Sequence, residues 1–93
     1  MADVRAQISE IAQRLAPLCR DISVRDDERG PFIFAIAVDD THSLELWYQN
    51  GEFTLELWRG KTAEEERIVE SLRFKDAVAA AERSSEWLLA DAI

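Results

Sequence analysis

One cysteine, one histidine and three glycines leave this chain with little of the material from which most active sites are built. Cys19 has no partner for an internal disulfide, and a lone thiol fits the reducing cytoplasm. With His42 as the only histidine, a metal site of several imidazoles within one chain is excluded. Three glycines provide no phosphate-cradling loop. No apolar run approaches the roughly 20 residues a membrane span needs. Residues 1–15 have neither the basic segment nor the uninterrupted apolar stretch of a signal peptide, so a cytoplasmic location is expected. Basic residues are also scarce: 11 Lys and Arg stand against 19 Asp and Glu, a formal net charge of −8. The arginines are scattered among acids rather than gathered into a stripe, which argues against direct binding to nucleic acid or to an anionic membrane. An acidic field favours encounter with a basic partner, although solubility alone also accounts for it.

What is present suits one soluble domain spanning residues 1–93, at 47% hydrophobic and 32% charged, a balance that excludes disorder. The strongest local signal lies in residues 44–58, LELWYQNGEFTLELW, where Leu-Glu-Leu-Trp occurs twice around Asn50-Gly51. Alternation on both sides of an Asn-Gly pair predicts a two-residue hairpin, because a type I′ turn needs φ > 0 at both central residues. Fixing the turn fixes the register. Tyr48 then lies opposite Phe53, Leu46 opposite Leu55 and Leu44 opposite Leu57, an apolar face for the core. On the reverse face Trp47 meets Thr54, Glu45 meets Glu56 and Trp58 meets Ser43.

Around the hairpin, residues 3–18 predict an amphipathic helix with Val4, Ile8, Ile11, Leu15 and Leu18 inward, Asp3 as N-cap and Pro17 near the end. A short strand at 21–25 and a turn at 26–31 follow. Residues 32–38 form the most hydrophobic strand, apolar on both faces. Its larger side chains, Phe32, Phe34, Ile36 and Val38, are expected in the core because they bury more area, leaving Ile33, Ala35 and Ala37 outside. Residues 64–74 fit either helix or strand, and a strand beside the hairpin's second arm is the better fit to a meander. Residues 75–92 predict a second helix with Ala77, Val78, Ala81, Leu88 and Ala92 inward, Trp87 pinning it to the core and Asp76 at its start. The expected fold is an α+β two-layer sandwich: N-terminal helix, three- to five-stranded antiparallel meander, C-terminal helix.

Candidate chemistry is thin. Asp39, Asp40 and His42 could ligate a cation, but such residues are also what a turn requires. Cys19 reads as an inert, buried thiol rather than half of a dyad with His42. Glu45 and Glu56 are a paired-carboxylate candidate, yet like charges opposed on a strand pair fit better as a solvated face, or as one bridged by Arg59, Arg25 or a partner's lysine. Glu64-Glu65-Glu66 is a solvated charge run. These observations predict no enzyme, no cofactor and no metal. They point instead to a small acidic protein-binding module, of inhibitor, immunity or adaptor type, that binds a basic partner or a second copy through Trp47, Trp58, Glu45, Glu56 and Thr54. The alternative is a small-molecule binder or weak enzyme with a dimer-interface pocket near His42 and the glutamates.

Overall fold

The computed structural model describes residues 3–60 and 64–90. It is an α+β sandwich in which one five-stranded antiparallel sheet carries two helices on a single face. Helix α1 (Val4–Leu15) starts at Asp3, whose side chain accepts from the backbone N–H of Arg5, satisfying one of the orphan donors of the first turn. Its stripe of Ile8, Ile11 and Leu15 is buried, and Pro17 tightens the exit into a 3-10 turn at Ala16–Leu18. Five strands follow: β1 (Cys19–Asp27), β2 (Gly30–Ala37), β3 (His42–Gln49), β4 (Glu52–Arg59) and β5 (Arg67–Phe74). They pair strictly in chain order. Helix α2 (Ala77–Leu89) closes the element order. Among the described residues no helix is long and apolar enough to cross a membrane.

The β3–β4 hairpin has the register its sequence dictates, with Tyr48↔Phe53, Leu46↔Leu55, Leu44↔Leu57, Glu45↔Glu56, Trp47↔Thr54 and Ser43↔Trp58 paired. Asn50 (φ 55°) and Gly51 (φ 80°) both occupy the left-handed region, the conformation a type I′ turn demands. Leu44, Leu46, Leu55 and Leu57 are fully buried beneath the helices. Residues 67–74 form a strand beside β4, as the meander required, and residues 64 and 65 turn into it.

Two expectations about side-chain direction are overturned. In β2 the small residues, not the large ones, face the helices: Ile33 pairs with Leu46 and Ala35 with Leu44, and Ile33, Ala35 and Ala37 are all buried in the core cluster. Phe32, Phe34 and Ile36 point to the opposite face, and Val38 is 70% exposed in the turn. Turn length decides this. Residues 38–41 separate the strands, so Ala37 and His42 fall on the same side, and the turn is closed by Asp40 N–H to Ala37 C=O. Alanines at that side let the helices approach the sheet closely, a packing advantage that outweighs the area a phenylalanine would bury. In α2 the cap at Asp76 sets the phase. Ala80, Ala81, Ser84, Trp87 and Leu88 turn inward, Ala77 is partly buried and Val78 is 53% exposed. Ala92 lies outside the described residues.

Candidate functional site

Because both helices pack on the core face, the other face of the sheet is crossed by no helix or strand among the described residues. Alternation places Phe32, Phe34 and Ile36 of β2 beside Trp47, Glu45 and Ser43 of β3. These in turn neighbour Thr54, Glu56 and Trp58 of β4, and then Arg73, Ser71 and Ile68 of β5. The five residues singled out by sequence, Trp47, Trp58, Glu45, Glu56 and Thr54, therefore share one surface, with the two glutamates at its centre and one tryptophan diagonal to each side. Ile33, Ala35 and Ala37, expected here, are replaced by the phenylalanines and Ile36.

Trp47 is nonetheless only 7% exposed and Phe32 only 8%. The cover is a side chain rather than a secondary-structure element. Arg29, in the β1–β2 turn, folds back so that its guanidinium carbon sits 4.3 Å from the Trp47 ring centroid and 4.6 Å from that of Phe32. Its Nη2 pairs with Asp27 Oδ2 at 2.7 Å and its Nη1 donates to Glu45 Oε1 at 3.2 Å. A planar cation stacked on aromatic faces and forked between carboxylates uses all of arginine's binding modes at once. The Arg29 hydrogen bond pulls the Asp27 carboxyl below its ordinary range, against the smaller opposing effect of burial. Arg25 covers Phe34 in the same way at 5.0 Å. The cation beside Glu45 is thus Arg29, not Arg25 or Arg59. Sequence offered one cue to it, an acid two residues before an arginine in a tight turn, which the structure uses as Asp27 and Arg29.

The second half of the surface has no such cover. Glu56 makes no hydrogen bond or ion pair among the described residues, and Ser71 lies opposite it. Trp58 is partly exposed; among the described residues no cation stacks on it and its buried indole N–H has no partner, whereas that of Trp47 donates to Gln49 Oε1 at 3.3 Å. Ile68 and Val69, beside Trp58 at a β4–β5 irregularity, are 47% and 52% exposed.

His42 lies on the opposite, helix-bearing face, so no single pocket within the chain brings it to the glutamates. Its ring is 1% exposed. Nδ1 lies 2.8 Å from Asp39 Oδ2 and 3.0 Å from Thr41 Oγ1, and Nε2 lies 3.2 Å from Arg59 Nη2. One tautomer satisfies both ends: Nδ1–H donates to Asp39 and Nε2 accepts from Arg59. The ring edge meets Trp87 at 4.6 Å, and the Trp87 indole N–H donates to Ser43 C=O at 2.9 Å, fastening α2 to β3. With Nε2 engaged by Arg59, this Asp–His pair presents no free base to a substrate. Asp39 also accepts from the backbone N–H groups of Thr41 and His42. Burial works to raise its carboxyl pKa, but those bonds and His42 together outweigh it and the pKa is lowered. Cys19 is half-buried and donates to Leu15 C=O. Desolvation first, and Asp21 second, push its thiol pKa up, which removes the thiolate that reactivity needs. Among the described residues no three His, Cys, Asp or Glu converge as metal ligands.

Fold and surface together define a small α+β sandwich with a mixed aromatic and charged sheet face. Comparison with protein-family models, with curated proteins and with solved structures finds no match.

Proposed function

We propose that this chain is a non-enzymatic protein-binding module that receives a basic partner on the free face of its sheet. The observation that carries the reading is the composition of that face. Trp58, Ile68 and Val69 retain exposure near Glu56, a carboxylate with no ion pair among the described residues, and Ile36 retains some two strands away. Aromatic anchors ringed by charge are how protein interfaces gain their energy. Charge selects between partners. A second copy would bring the same formal −8 and be repelled on approach, whereas a basic protein is drawn in. An inhibitor or immunity-type role, or that of an adaptor, fits a chain of this size and charge.

The test starts with solution mass by light scattering over a dilution series, where a monomer is expected. A dimer that persists on dilution would overturn the basic partner in favour of a second copy. A partner captured on the wild-type chain is then purified and titrated against the Trp58→Ser variant by calorimetry. Affinity should fall by about tenfold or more, as for loss of an anchoring aromatic, with the circular dichroism spectrum retained. Unchanged affinity in a folded variant would remove the sheet face from the interaction.

A further inference from the structure

The repeated tetrad gives the sheet face an internal approximate twofold relation. Glu45 and Trp47, two residues apart on β3, correspond to Glu56 and Trp58, two residues apart on β4, with the glutamates paired across the strands. Each tryptophan also has a large apolar neighbour on the next strand outward: Phe32 beside Trp47, and Ile68 beside Trp58. In the first of these units a guanidinium is already seated. Arg29 stacks on Trp47 and Phe32 and binds Glu45. In the second unit a glutamate, a tryptophan and an apolar neighbour stand in corresponding positions, without a counterpart of Asp27 among the described residues, and no cation among the described residues pairs with Glu56 or stacks on Trp58.

Nearby cations do not fill the gap. Arg73, opposite Thr54, faces the same surface but makes no ion pair among the described residues. Arg59 and Arg67 pair with each other in register on the helix side, and Arg59 is held by His42 there. A partly exposed carboxylate with no counter-charge among the described residues is open to a cation, and an aromatic face beside it is where a weakly hydrated planar cation gains most.

We infer that Glu56 and Trp58 form a second guanidinium seat, which an arginine side chain of the protein partner occupies as Arg29 occupies the first. The inference rests on the docking role proposed above and specifies its chemistry. The partner's arginine stacks on the Trp58 ring, pairs with Glu56, and is flanked by Ile68 and Val69 in place of Phe32. Arginine is favoured over lysine because a compact, strongly hydrated ammonium neither stacks nor forks.

The direct test uses the full chain labelled with nitrogen-15 and the indole Nε1–H signals of its tryptophans, with N-acetylarginine amide as probe and N-acetyllysine amide as comparison. The Trp58 signal should shift saturably with the arginine derivative and by about threefold less with the lysine derivative at equal concentration. The Trp47 signal should stay in place because Arg29 already covers that ring. Glu56→Gln should weaken the Trp58 response about threefold or more, and Arg29→Ala should make Trp47 responsive in turn. No Trp58 shift, equal shifts of Trp47 and Trp58 in the wild type, or a Glu56→Gln chain that binds like the wild type would each overturn the seat. Failure of the docking reading looks different. If Trp58→Ser abolishes binding of the purified partner while Glu56→Gln leaves it unchanged, the face docks a partner without an arginine seat. If neither variant changes it, the face is not the interface.

Discussion

The two faces of this sheet are built on opposite rules. The helix-bearing face is dry and fine-grained, with four leucines from the hairpin, Ile33, and alanines from β2 and α2 all buried in one cluster. The other face is coarse and wet, with phenylalanines and tryptophans covered where they are covered at all by arginine side chains. The helices favour the first pattern because small side chains let them approach the sheet closely, with Phe53 and Trp87 as the large rings of the same cluster. A flexible guanidinium permits the second because it conforms to a large ring while its charge stays near water. One face is thus closed by secondary-structure elements and the other, where it is closed, by side chains.

That contrast breaks most sharply at the dry face. Leu46→Ala should cost about 3 kcal/mol, within the 2–5 kcal/mol of buried leucine truncations, measured as a shift in urea midpoint with an unchanged slope. At the wet face Arg29→Ala should cost only about 1–2 kcal/mol, the scale of a largely desolvated cation–π contact, yet it should shift tryptophan emission to the red as Trp47 gains water. A loss as large as that of Leu46→Ala would show that the arginine cover is part of the core. The two glutamates give a finer comparison. Both variants relieve the like charges paired across the strands, but Glu45→Gln also loses the tie to Arg29 and should destabilise by about 0.5 kcal/mol net, whereas Glu56→Gln should stabilise by about 0.5 kcal/mol. Opposite signs in the same assay are the expected outcome.

The smallest effect concerns acid. Asp27 is held below the ordinary carboxylate range by Arg29, so the unfolded chain takes up its proton first as pH falls. Its contribution is complete above an unfolded pKa of about 3.9 and is lost as pH falls through the lower folded value. Thermal melts between about pH 6 and about pH 3 should therefore decline less steeply in Asp27→Asn than in the wild type. The difference should vanish in an Arg29→Ala background.

How much of this was legible in the chain depends on how local each determinant is. The hairpin was readable to the residue because Asn50-Gly51 sets turn type, register and facing within four positions. The α1 cap at Asp3 was readable for a similar reason, whereas residues 64–74 fitted either helix or strand and only the meander topology favoured the strand that forms. The facing of β2 was not. Both of its sides are apolar, and parity hangs on the length of one turn and on what the helices tolerate, which side-chain size misjudges. The Arg29 cover was also hidden, since it joins a turn residue to Glu45, 16 positions away. The turn chemistry of Asp39 was readable, since its carboxylate accepts from local backbone N–H groups, but the bond of the His42 ring to Arg59 and its contact with Trp87 are matters of tertiary packing.

The nearest-neighbour strand order leaves β1 and β5 each with one row of backbone donors and acceptors that pairs with no strand among the described residues. Both margins are poor templates for a further strand. β1 carries Asp21, Arg25, Asp26 and Asp27 and is irregular between Cys19 and Asp21. β5 carries Arg67, Glu70 and Arg73 and faces an irregularity between Leu57 and Trp58. Lateral growth into a continuous ribbon is therefore disfavoured at both ends, and the sheet stays five strands wide while its broad surface remains open to contact.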